Sequence, residues 1–299
     1  MKIQLTTLIT LATGLLFNWF ILGQTQNTVF DPVFEPSQSN IAVWLSGAAY
    51  CGMDSYKTMK LTGPAEGFEV ADVLYDPATD LQGFTGVLHS EKTVYVAFRG
   101  SSSLLNWIDD AEVVKVPYDT FPDCDCKVHK GFYKATNGLK SDTILSVRKL
   151  MDTYGYSNVV TTGHSLGAAI GQMISMELRK ASIKSTIYNF GQPRIGDAKY
   201  AKYVNAVEQT LWRFTHNQDT VPHLPPEFMG YVHSCVEMFE DEYGAIHECS
   251  DQMCEDPKCA DQFSFLRKNA TDHHTYLGHP MDCVRGTYGS PKTPPYFYN

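Results

Sequence analysis

The chain has 299 residues, 43% of them hydrophobic and 19% charged, which suits one sizeable folded domain and excludes a disordered chain. Twenty-four Lys and Arg stand against thirty-three Asp and Glu, for a net charge of −9. Phosphate binding needs a basic footprint, so nucleic acid is excluded as the main partner, and strong attraction to anionic membranes is disfavoured.

Residues 1–23 read as a secretory signal. Lys2 supplies the positive charge, residues 3–22 are mainly apolar, and small Gly23 precedes a polar run that begins at Gln24. Gln4, Thr6, Thr7, Thr10, Thr13 and Asn18 interrupt the apolar stretch and argue against a retained membrane anchor. No later segment is apolar enough to span a bilayer. Residues 24–299 are then expected to form a single domain. Eight cysteines on a secretory route make disulfides the default: Cys51, Cys124, Cys126, Cys235, Cys249, Cys254, Cys259 and Cys283. The late cluster lacks the paired C-x-x-C spacing of zinc sites, so no metal is expected. Asn269-Ala270-Thr271 is a glycosylation sequon.

Residues 31–40, with Pro32 and Pro36, suggest an extended lead-in, and residues 39–50 an amphipathic helix capped by Ser39 or Asn40. Residues 68–75, 81–89 and 93–98 read as strands, the last two joined in a hairpin. Residues 132–154 form a long helix pattern, with Leu139, Thr143, Ile144, Val147, Leu150 and Met151 on one face and Gly155 at its end. A strand at 158–162, a helix at 168–180, a strand at 186–190, a helix at 197–206 and a strand at 211–215 follow, with His233 in a further strand. Strands alternating with helices, after an early hairpin, indicate an α/β fold around a mixed sheet.

Gly163-His164-Ser165-Leu166-Gly167 is a G-x-S-x-G pattern set between a strand and a small-residue helix. In that setting the turn is sharp. Ser165 is exposed as a nucleophile at the sheet's carboxyl edge, and the Leu166 amide is aimed at the oxygen of a reacting carbonyl. A helix cap is the plainer role for Ser165, and the strand–turn–helix context favours catalysis. A serine hydroxyl needs a base, and the base needs an orienting carboxylate, in the chain order Ser, acid, His. Asp219 follows a late strand and fits the acid. Asp197 also follows a strand, but helix capping accounts for it. Beyond Asp219 lie His223, His233, His247, His273, His274 and His279. The first sits in a proline-rich loop and reads as structural. His273 and His274 sit on a late loop that can fold back over Ser165, and the residues alone do not separate them.

Several blocks in one order then resemble the fungal-type triacylglycerol lipases, the class 3 lipase family, from about Ala48 to Cys283. They are Phe98-Arg99-Gly100-Ser101-Ser102-Ser103 with Asn106-Trp107-Ile108, Lys127-Val128-His129-Lys130-Gly131-Phe132, the elbow at Ser165, Gly191-Gln192-Pro193-Arg194, Asp219-Thr220-Val221-Pro222-His223-Leu224-Pro225-Pro226, and His273-His274-Thr275-Tyr276-Leu277-Gly278. The resemblance implies an α/β-hydrolase fold, with a central mixed, mostly parallel sheet flanked by helices and a short helical lid. It implies His273 as the base, Asp219 as the acid, and Ser101 beside Leu166 in the oxyanion hole. It implies that Leu104, Leu105, Trp107 and Ile108 form the apolar face of the lid. Bridges Cys51–Cys283 and Cys124–Cys126 are implied too, while the other four cysteines allow three pairings.

The expected activity is therefore hydrolysis of carboxylic esters, most simply triacylglycerols at a lipid–water interface, with no metal or organic cofactor. A phospholipase, a galactolipid lipase or a feruloyl-type esterase on the same scaffold is the alternative. An apolar lid argues against the feruloyl case. A catalytically silent binding protein is the third reading, and the complete triad argues against it. The expected location is extracellular or in a lysosome-like vesicle.

Overall fold

The computed structural model describes residues 34–101, 113–208, 210–250, 254–263 and 270–283, with the backbone of 297–298. The signal at 1–23, the lid residues Leu104, Leu105, Trp107 and Ile108, and the sequon at Asn269 lie outside the described residues.

A nine-stranded sheet organises the chain. Its first edge is the antiparallel set β1 (Glu69–Asp76), β2 (Leu81–Leu88) and β3 (Thr93–Phe98). Parallel strands β6 (Asn158–His164), β7 (Thr186–Phe190), β8 (Leu211–His216) and β9 (Glu237–Glu240) then follow β3 in that order. Strand β10 (Ile246–Glu248) returns antiparallel, and β13 (Phe297–Tyr298) pairs parallel to it. A small ribbon, β4 (Lys115–Pro117) with β5 (Lys127–His129), and another, β11 (Thr275–Tyr276) with β12 (His279–Pro280), lie apart from the sheet.

Period-two alternation assigns the two faces. Val94, Val96 and Phe98 of β3 join one core with Leu139, Val147, Ile170 and Ile174 from helices α2 (Lys130–Tyr154) and α3 (Leu166–Lys180). Tyr95 and Ala97 face the other core, where Ile41, Trp44 and Leu45 of α1 (Pro36–Ala48) cover them. Successive strand residues point to opposite faces, and both faces are covered, so β3 is buried throughout. Helix α4 (Ala198–Val207) packs its buried Tyr200 and Val204 into the first core.

Several local expectations shift. Helix α1 begins at Pro36, not Ser39, because proline is well suited to a helix's first turn. Neither Ser39 nor Asn40 is its cap, since the Ser39 hydroxyl donates back to the Pro36 carbonyl inside the helix. Nor is α1 amphipathic: nearly all its second half is buried, because it is pressed between the sheet and the β12 segment. His233 lies just past an isolated bridge at Val232 rather than in a strand, and the strand that follows is β9. Asp197 caps α4, its carboxylate accepting from the Tyr200 amide at 2.9 Å. Helix α2 is capped by His129, whose Nδ1 accepts from the Gly131 and Phe132 amides. Burial holds that imidazole down at about 4, so the ring is neutral and can accept.

All eight cysteines are paired. Cys51–Cys283 and Cys124–Cys126 are joined as the resemblance implies, and the remaining four resolve into Cys235–Cys254 and Cys249–Cys259.

Candidate active site

The turn from β6 into α3 places Ser165 at φ 59° and ψ −128°, a conformation that L-residues rarely adopt. Two glycines make the turn possible. A Cβ on Gly163 would stand 2.3 Å from the Gly167 carbonyl oxygen, and one on Gly167 would stand 2.2 Å from the Phe98 carbonyl oxygen. Strand β6, helix α3 and the end of β3 therefore meet backbone to backbone. The Ser165 amide is fixed by the Phe190 carbonyl at 2.9 Å. Its hydroxyl makes no capping bond to α3, which removes the plainer reading of this serine.

Asp219 leaves the carboxyl end of β8, two strands away, and is 2% exposed. One carboxylate oxygen accepts from the Val221 amide at 2.8 Å, and the other meets His273 Nδ1 at 2.7 Å and the Tyr276 hydroxyl. Burial pushes the Asp219 carboxyl upward. The charge of His273, the bonds from His273 and Tyr276, and the Val221 amide outweigh it and hold the group below its ordinary value. Burial, then Asp219, pushes the Tyr276 phenol well above its ordinary value, so it stays protonated and donates.

The choice between adjacent histidines resolves on burial. His273 is buried against Asp219, whereas His274 is exposed. The other late histidines are occupied elsewhere. His223 meets Asp261 at 3.1 Å, His233 bonds the Pro222 carbonyl, His247 pairs with Asp241, and His279 lies tilted against the Trp44 ring. The His273 loop is tied to the Asp219 loop: the Asp272 carboxylate accepts from Asn217 and from the Gln218 amide, each at 3.1 Å.

Three supporting residues escape a reading of the sequence for reactive groups. His164, inside the elbow motif, is completely enclosed. Its Nε2 lies 2.8 Å from the His273 carbonyl oxygen and its Nδ1 lies 2.7 Å from the Tyr50 hydroxyl. Burial, and then the neighbouring His273, hold the His164 imidazole far below its ordinary value, so it is neutral. Tyr50, just past α1, and Tyr276, in the block that carries His273, complete the set. The signal for the last two was proximity in sequence to Cys51 and His273.

Ser101, Ser165, His164 and His273 line one cavity of about 400 Å³, with Tyr50 and Arg99 at its wall. Ser165 Oγ and His273 Nε2 are both buried there, and neither has a hydrogen-bond partner among the described residues. Buried polar atoms are normally satisfied, so this pair marks where a reacting group would sit. The first amides of α3 have no intrahelical carbonyl to bond and lie beside Ser165 at the positive end of the helix. Such an arrangement can do nucleophilic acyl chemistry: a hydroxyl, a carboxylate-oriented imidazole and amides placed for an oxyanion.

Residues 95–229 match the lipase (class 3) family. The lipase of Rhizomucor miehei is 34% identical over 196 residues, covering 63% of this chain and 53% of that protein. A secreted mono- and diacylglycerol lipase A of Penicillium camembertii is 34% identical over 186 residues, covering 61% and 58%. The chain thus spans little more than half the length of the curated relatives it matches. Among solved structures, a triacylglycerol lipase with a serine-protease triad at its catalytic centre superposes with a TM-score of 0.76 at 27% identity, covering 82% of this chain and 95% of that one.

Proposed function

Because the chain belongs to the class 3 lipase family, with an α/β-hydrolase fold, we propose that it is a serine hydrolase of carboxylic esters, acting outside the cell as a triacylglycerol lipase. The observation that carries the reading is the buried Asp219–His273 pair beside an unpaired Ser165 hydroxyl. His273 takes the Ser165 proton as Oγ attacks the ester carbonyl, and Asp219 steadies the imidazolium. The Leu166 amide and Ser101 hold the developing oxyanion. The alcohol leaves with the proton from His273, and water, activated by the same imidazole, cleaves the acyl-enzyme. Four disulfides suit an oxidising extracellular setting. No helix among the described residues is long and apolar enough to cross a membrane.

The test is initial rate against tributyrin concentration, carried from below to above its solubility limit, for wild type and Ser165→Ala. A rate that jumps above the limit in wild type alone supports a lidded lipase. A smooth saturating curve keeps the serine esterase and removes the lid formed by Leu104, Leu105, Trp107 and Ile108. Equal rates in the two proteins remove Ser165 and the whole reading.

A further inference from the structure

The loop that follows Asp219 carries a large apolar side chain into water. Phe228 is 85% exposed, its neighbour Met229 41%, and Val114 49%. Folded chains seldom leave phenylalanine so bare, and clustered apolar exposure marks a surface that meets something apolar.

The exposure is enforced rather than slack. Residues Glu227–Met229 form a helical turn closed by Met229 N to Pro226 O at 3.0 Å and Gly230 N to Glu227 O at 2.7 Å. Arg194, fully enclosed, donates to the Pro225 carbonyl and to the Glu227 carboxylate. From the other side Lys115 Nζ donates to the Met229 and Gly230 carbonyls, both at 2.7 Å. The turn's polar groups are thus satisfied by Arg194 and Lys115 and its apolar side chains are left outside. Strand β8 runs parallel to β6, so this loop rises from the same carboxyl edge of the sheet as Ser165.

We propose that Phe228, with Met229 beside it, is a rigid wedge that seats this protein on a lipid surface, apart from any lid. The proposal rests on the reading that the chain hydrolyses lipid esters, because that reading places a lipid surface over the edge where Ser165 opens. With a net charge of −9 the fitting surface is zwitterionic or neutral rather than anionic. An aromatic ring held at a fixed height buries into the headgroup boundary without ordering a loop first.

The test separates seating from catalysis. In a Ser165→Ala background, sedimentation with phosphatidylcholine vesicles is compared with and without Phe228→Ser. The substitution is expected to weaken partitioning about tenfold or more, from the burial of one phenylalanine. In the same background Phe228→Trp retains binding, and the introduced indole is quenched by brominated phosphatidylcholine. With Ser165 intact, Phe228→Ser hydrolyses soluble p-nitrophenyl acetate at the wild-type rate, which shows the fold is whole. Unchanged sedimentation of Phe228→Ser, or an unquenched indole, overturns the wedge. So does a concentration-dependent dimer that Phe228→Ser dissolves, with no vesicle binding in either protein, which assigns the patch to a second copy. Absence of wild-type activity on both the soluble ester and emulsified tributyrin instead defeats the hydrolase reading, and it is distinguishable because the binding assay needs no turnover.

Discussion

His164 holds the main chain of His273: its ring Nε2 lies 2.8 Å from the His273 carbonyl oxygen, inside a wholly enclosed pocket. A carbonyl only accepts, so Nε2 carries the proton, and the neutral ring must then accept at Nδ1, where the Tyr50 hydroxyl donates at 2.7 Å. His164 at the end of β6 and Tyr50 just past α1 therefore fix the height of the candidate base. Tyr50→Phe removes the donor and leaves a buried acceptor unpaired, at a cost of roughly 1–3 kcal/mol. Its kcat should fall about tenfold or more with KM little changed, read by steady-state kinetics on a soluble ester. A KM effect alone would show that Tyr50 serves substrate binding instead.

Asp219→Asn keeps the volume of the side chain and removes the charge that orients His273. In the proposed mechanism kcat drops by roughly 10⁴-fold, the scale seen when a triad carboxylate is replaced by its amide. Circular dichroism should stay native. A loss below tenfold would mean that Tyr276 and the backbone hold His273 without the carboxylate.

Acid should weaken the fold in two windows. His129 and His279 are held by burial at about 4, below an unfolded value of about 6.5, so the unfolded chain binds protons first as pH falls. Their contribution is whole above about 6.5 and declines progressively toward 4. Asp219 has a depressed carboxyl despite its burial, so its contribution is present above the unfolded carboxylate value of about 4 and lost as pH falls through the folded one. Urea midpoints measured from pH 8 to 3 should decline first between about 6.5 and 4. A flat profile across that interval would contradict neutral, buried imidazoles at both positions.

The bridge Cys51–Cys283 closes a span of 232 residues and stands next to Tyr50. Replacing both cysteines by alanine should cost about 2–5 kcal/mol of stability, measured by denaturant titration, since the constraint on the unfolded chain grows with the loop it closes. Activity should fall further than unfolding explains, because α1's end and the base loop lose their tie.

Gly167→Ala tests the elbow itself. Its new methyl would collide with the Phe98 carbonyl oxygen, a backbone atom that cannot rotate away. Soluble protein with little esterase activity, or failure to fold, is the expected result; wild-type kinetics would mean the turn is looser than drawn.

The parts of this molecule legible in sequence are those whose cause is local. Strand β3 is apolar because both faces are covered, helix α2 stops at a left-handed Gly155, and the elbow needs Gly163 and Gly167 for contact. The candidate base could not be read locally. His273 and His274 are neighbours of the same type, and burial against Asp219, from a distant strand, separates them. Helix α1 misled for the same reason. Its second half is enclosed on all sides, so no polar stripe marks it, and its start depends on Pro36. The pairing of Cys235 with Cys254 and of Cys249 with Cys259 likewise needs the path of the chain around β9 and β10.

The strand order β3–β6–β7–β8 has a stereochemical consequence. Ser101 follows the first of these strands, Ser165 the second and Asp219 the last, with adjacent strands spaced by about 4.8 Å. In the proposed mechanism, a carbonyl lying across that edge has its oxygen drawn toward the β3 side and its departing alcohol toward the His273 side. The nucleophile can then approach only one of the two faces of the planar ester. That choice belongs to the main chain, so discrimination between mirror-image alcohols must be tuned through the walls that receive their substituents.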